Sequence, residues 1–209
     1  MNTWYNQPAA KATARRTFFS FHYQNDVARA QIVRNSWVTK GEREDAGFFD
    51  ASVFESKKRT SDDVLRTFLS EALKGTTVTC VLIGSETYAR PWVRYEIVRS
   101  FEQGKGLFGV RIHNISNFNQ GTSTMGPNPF EYLAYRVVND RVYWQELNGG
   151  SWASYDKVPS MKLADVPYSL NGQNHHVFSF RFPVYDWVVN DGFNNLKTWV
   201  QAAATQAGK

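Results

Sequence analysis

The sequence has almost no cysteine. Cys80 stands alone among 209 residues, so no intramolecular disulfide can form, and zinc sites built on several thiolates are excluded. Long apolar runs are also missing. The longest, Val78 to Ile83, is broken by Thr79 and falls far short of the ~20 residues a membrane-spanning helix needs. The N-terminal stretch MNTWYNQPAAKATARR contains no apolar core of the kind a secretory signal requires. A soluble, cytoplasmic protein with no membrane partner is expected.

Familiar catalytic signatures are lacking as well. No GxGxxG follows the first strand-like run and no GxxxxGK[ST] occurs, so neither phosphate loop is present. The GxSxG elbow and the HExxH pair are also missing. The four histidines are His22, His113, His175 and His176. The adjacent pair reads as an exposed loop, and no metal is expected. The net charge is +5, but the 24 basic residues are scattered, with one short run at Lys57-Lys58-Arg59. With no nucleic-acid-binding motif beside it, this charge reads as solvated surface rather than a nucleic-acid interface. Asp50 ends a strand-like run, yet no acidic pair follows the first strand to hold a divalent cation, so a phosphoacceptor receiver domain is excluded.

What the chain does have is a composition suited to a large core. Hydrophobic residues make up 42% and aromatics 15%, including seven Trp, and at this length folding can bury enough surface without staples. Residues 1–15 read as a loose polar arm. Thr17 to Phe21 reads as a buried strand, and Asn25 to Trp37 as a helix. A second short strand, Gly47 to Asp50, leads into a polar loop over 51–60. Ser61-Asp62-Asp63 supplies an N-cap and first-turn acids for a helix whose apolar face is Val64, Leu65, Phe68, Leu69, Ala72 and Leu73. Val78–Ile83 is β-branched and nearly continuous, as a central parallel strand should be. A helix over Pro91 to Phe101 and a strand over Leu107 to Ile112 complete a β-α-β-α-β-α-β order, which implies a parallel sheet with helices on both faces.

After residue 113 the pattern changes. Ala134–Val138 and Arg141–Trp144 flank Asn139-Asp140 and read as a hairpin. Phe178, Phe180, Phe182 and Val184 alternate as a half-buried strand. Residues 186–206 read as a final helix with Phe193, Leu196, Trp199 and Val200 on one stripe. The expected organisation is therefore a single α/β domain over 16–209. Its core motifs lie in 16–112, an antiparallel β elaboration spans about 113–185, and a C-terminal helix follows.

Ligands of an open parallel sheet bind beyond the carboxyl ends of its strands. The segments there are Phe21-His22-Tyr23, Asp50-Ala51-Ser52, Gly84-Ser85-Glu86 and His113-Asn114. The most suggestive cluster is Pro91-Trp92-Val93-Arg94-Tyr95-Glu96-Ile97. Trp92 and Glu96 are four apart and share a helix face. A carboxylate beside an indole near a strand-end crevice suits a raised pKa and a functional role. The competing reading is a surface Glu96 paired with Arg99.

These residues carry a resemblance. Arg16 to Tyr23 resembles the first strand box of TIR domains. Val81 to Tyr88, followed by Trp92-Val93-Arg94-Tyr95-Glu96-Ile97, resembles the TIR strand and WxxxE helix. The combination is most similar to the bacterial TIR-like subfamily of ThsB proteins in Thoeris anti-phage systems. The resemblance spans about residues 16–112. It implies a flavodoxin-like fold and cleavage of NAD at the nicotinamide–ribose bond, with NAD as substrate and no cofactor. It assigns catalysis to Glu96 and a pocket wall to Trp92. Nucleotide contacts fall to Phe21, His22, Tyr23 and Ser85. Asp50 and the 51–60 loop would shape the pocket and mediate self-association. It further implies a cyclic ADP-ribose isomer as product, a separate effector protein that senses it, and a phage-derived trigger. The alternative within the same family is a catalytically weak assembly module.

The chemistry fits a single carboxylate. Glycosidases use two because the leaving oxygen must be protonated. Nicotinamide is already cationic in NAD and leaves neutral, so one carboxylate can stabilise the ribosyl cation without a general acid.

Overall fold

The computed structural model describes residues 15–39, 46–47, 61–116, 121–168 and 175–209. Five parallel strands form the main sheet: β1 (Thr17–Ser20), β2 (Ala46–Gly47), β3 (Val78–Ile83), β4 (Gly106–Arg111) and β10 (Val184–Asp186), in the order β10-β4-β3-β1-β2. β1 is buried throughout and lies in parallel register with β3, Thr17 opposite Val78 and Ser20 opposite Val81. The strand order reverses between β1 and β3. The chain steps from β1 outward to β2, then returns to the far side of β1.

Helices cover both faces. α1 (Tyr23–Thr39) and α4 (Gly192–Gln206) pack on one face. Val33, Trp37, Leu196, Trp199 and Val200 meet Phe19, Leu82, Phe108 and Val110 there. α2 (Asp62–Leu73) and α3 (Pro91–Glu102) cover the other. Ser61 caps α2 by accepting a hydrogen bond from Val64 N, as the Ser-Asp-Asp pattern predicted. Pro91 opens α3 at a position where its missing N–H costs nothing.

A second, antiparallel sheet follows β4. It contains β5 (Leu133–Val138), β6 (Arg141–Asn148), β7 (Ser151–Ser154) and β9 (His175–Val177), in the order β7-β6-β5-β9, with β8 (Met161–Lys162) paired to β6. The predicted hairpin is present. Asn139 and Asp140 both take positive φ, as a two-residue primed turn needs. This sheet shares the core of α3. The Phe101 ring lies 4.7–6.1 Å from those of Tyr135, Trp144, Tyr168, Phe178 and Phe182. Aromatic contacts at these separations add to the burial energy.

The structure corrects four expectations. Phe178–Phe180 is a 3₁₀ turn, not a strand, with Phe178 buried and Phe180 exposed. The strand instead comes at Val184–Asp186 and joins β4 in parallel, as the fifth strand of the main sheet. The last helix starts at Gly192 rather than 186, because the Asp186 carboxylate accepts hydrogen bonds from Val188 N and Val189 N and holds a turn there. Phe193, in the first turn of that helix, is exposed rather than part of the buried stripe. His175 and His176 lie in β9, not a loop. His176 stacks on Tyr135 at 4.6 Å, and His175 Nδ1 lies 3.0 Å from Gln145 Oε1. The first helix also begins two residues earlier than expected, so Tyr23 belongs to α1.

Candidate active site

Glu96 sits in the middle of α3 on the face turned to the sheet. It is 4% exposed. The Ser20 hydroxyl, at the carboxyl end of β1, donates a hydrogen bond to its Oε2. The alternation of β1 accounts for this meeting: Ser20 points to the same face as Phe18, which packs under α2. Burial pushes the Glu96 carboxyl up from 4.5 to about 8, against the opposing pull of the Ser20 hydrogen bond. Arg99 does not pair with Glu96; it pairs with Glu102. The competing surface reading is thereby overturned.

The Glu96–Ser20 pair lies where the strand order reverses, the position at which open α/β sheets form their ligand crevice. Trp92, one turn earlier on α3, is half-buried and packs edge-on to Tyr95 at 5.6 Å. Beyond β1, Phe21 and Tyr23 are half-buried, with ring centroids 6.4 Å apart. His22 is buried, its Nδ1 4.0 Å from Glu86. Ser85 is half-buried just past β3. Trp92 thus shares α3 with Glu96, and His22, Tyr23 and Ser85 follow the carboxyl ends of β1 and β3, whereas Phe21 packs against the α1–α4 cluster on the opposite face of the sheet from Glu96. Asp50 and the 51–60 loop lie outside the described residues. Among the described residues, no group of three side chains could hold a metal ion, and no helix is long and apolar enough to cross a membrane. Cys80 is buried in mid-strand, as expected.

The sequence reading missed a polar support on the opposite face. Asp26, on α1, is buried against Gly84 at the end of β3. Its carboxylate occupies the space a Gly84 Cβ would take, so this position requires glycine. Thr87 bridges the two, accepting from Gly84 N at 2.9 Å and donating to Asp26 Oδ2 at 3.3 Å. Burial raises the Asp26 carboxyl from 3.8 to about 6, with Thr87 and Arg29 opposing. Arg29, also buried, donates to Ile115 O and Gly121 O at 3.0 Å each and so ties α1 to the segment after β4. The signal available in the sequence was Asp26 and Arg29 one helical turn apart, on the same side of the helix as the apolar Ala30 and Val33.

Comparison with known proteins agrees with this architecture. Residues 18–117 match the family model for the TIR-like domain of the Thoeris protein ThsB. ThsB1 of Bacillus cereus (strain MSX-D12), provisionally named a cyclic ADP-D-ribose synthase, is 42% identical over 191 residues, 90% of this chain and 99% of that protein. With the fold, the WxxxE helix and near full-length similarity in agreement, the chain belongs to the TIR-like ThsB family of Thoeris systems.

Proposed function

We propose that this protein cleaves NAD at the nicotinamide–ribose bond and closes the remaining ADP-ribose on itself, releasing a cyclic isomer as a signal in anti-phage defence. The observation that carries this reading is Glu96: a carboxylate buried against Ser20 at the strand-order reversal, with its pKa raised to about 8. A desolvated carboxylate is poorly suited to an empty site but well suited to a cation, because a positive charge beside it restores the ionised form. The pyridinium and then the ribosyl cation supply that charge.

The C1′–N bond breaks with its electron pair going to nicotinamide, which departs neutral. Glu96 faces the positive charge left on the ribose and accepts hydrogen bonds from its hydroxyls. Trp92 walls the nicotinamide side, His22 and Tyr23 line the β1 side, and Ser85 lies on the β3 side. Asp50 and the 51–60 loop complete the pocket and contact a neighbouring protomer. A separate effector protein reads the product, and a phage-derived trigger raises turnover.

The test is mass-resolved chromatography of NAD incubated with concentrated protein, wild type beside Glu96→Gln, with and without lysate of phage-infected cells. Glu96-dependent loss of NAD with a cyclic product is expected. Full NAD cleavage by Glu96→Gln would overturn the assignment.

A further inference from the structure

A ribosyl cation has two fates, and Glu96 stabilises the cation without choosing between them. Water adds to C1′ to give linear ADP-ribose and a proton. Alternatively, a hydroxyl or ring nitrogen of the same molecule forms the new bond to C1′, giving the cyclic isomer. The second path requires that water be kept away from C1′.

The segment 121–128 lies across the carboxyl ends of β3 and β4, and β3 is the strand beside β1, which carries Ser20. Its inner side is seated without clearance. A Cβ at Gly126 would overlap the carbonyl oxygens of Gly84 and Ser85. The Arg111 guanidinium, at the end of β4, donates to Gly126 O at 2.6 Å. Arg29 holds the start of the segment at Gly121 O, and Ser123 N donates to His113 O at 2.8 Å. Asn128 closes it, its side chain accepting from Phe130 N, and Phe130 is fully buried. The outer residues Gly121, Thr122, Thr124, Met125 and Pro127 are exposed. A polar, glycine-containing loop with this many fixed points is a wall rather than a mobile connection.

We propose that segment 121–128, seated through Gly126 and Arg111, keeps water from the ribosyl cation and sets the share of cyclic over linear product. The inference rests on NAD cleavage at Glu96. It assigns product choice to a segment in the chain that follows β4, and it makes Gly126 and Arg111 positioning residues.

The test compares wild type, Gly126→Ala, Arg111→Gln and the outward-facing control Met125→Ala. Cyclic and linear products are separated by chromatography, and thermal melting checks the fold. Each protein is also run with methanol as a competing nucleophile. Gly126→Ala must lift the loop to make room; Arg111→Gln loosens it without a backbone collision and carries the test if the first variant does not fold. The expected result is NAD consumption close to wild type, with the linear share raised about tenfold, equivalent to about 1.4 kcal/mol between the two capture barriers. Methyl ADP-ribose should form in these two variants and not in wild type or Met125→Ala. An unchanged product ratio without a methyl adduct in folded variants overturns the inference. So does a wild type that yields only linear ADP-ribose, which leaves cleavage at Glu96 standing. A wild type that consumes no NAD under any condition removes the functional reading and this inference together.

Discussion

If Glu96 is buried for chemistry, the folded protein should be destabilised by it, and the cost can be worked out. Its carboxyl is raised from 4.5 to about 8 by desolvation. Folded protein therefore keeps a proton that unfolded chain releases. The folded state binds more protons between those two values, so stability falls as pH rises from about 4.5 to about 8 and is level above that. At ~1.4 kcal/mol per pKa unit, the full cost is about 5 kcal/mol above pH 8, of which about 1 is already present at pH 5. Glu96→Gln preserves size and an acceptor for Ser20 but does not titrate. The variant should gain about 4 kcal/mol over wild type between pH 5 and pH 9. Asp26, whose pKa is also raised, titrates in both proteins and cancels in the difference. Urea denaturation of both proteins at several pH values measures it. A difference between the two that stays constant within about 1 kcal/mol across the range would refute the reasoning, because it would mean that the carboxylate is ionised and solvated in the folded protein.

Other changes follow from the same geometry. Ser20→Ala removes the hydrogen bond that favours the ionised form, so the pH–kcat/KM profile should move to higher pH; a profile unmoved on the pH axis would argue against Ser20 acting through Glu96. Trp92→Ala should raise KM for NAD about 3- to 10-fold through loss of an aromatic wall, and steady-state kinetics would detect an unchanged KM. Gly84→Ala places a Cβ where the Asp26 carboxylate lies. It should cost about 1–3 kcal/mol and lower Tm by several degrees, as calorimetry can verify.

The parts of the fold legible in the sequence were those whose signals are local. Val78–Ile83 and Thr17–Ser20 are apolar runs buried on both sides, and Ser61 and Pro91 mark helix starts by their own chemistry. β10 was not legible. It is three half-buried residues between Pro183 and a turn, and its pairing with β4 is a tertiary event. The helix start was misplaced because the Asp186 side chain competes for backbone N–H groups that a helix would otherwise use. At the site, Glu96 and Trp92 were visible by spacing. Ser20, 76 residues away in sequence, and the Asp26–Gly84–Thr87 contact were not, since their meaning depends on which strands lie side by side.

Arg15 donates from its guanidinium to the Lys209 carbonyl oxygen at 2.9 Å and to Gln201 Oε1 at 3.3 Å. Arg15 precedes β1, and Lys209 Nζ comes within 4.0 Å of the position a Gly104 Cβ would occupy, just ahead of β4. Both points therefore lie at the amino edge of the sheet, a six-residue strand or about 20 Å from the crevice. A fluorophore, affinity handle or fused partner attached after Lys209 would project away from the substrate opening. Surface immobilisation through that end would leave NAD free to enter.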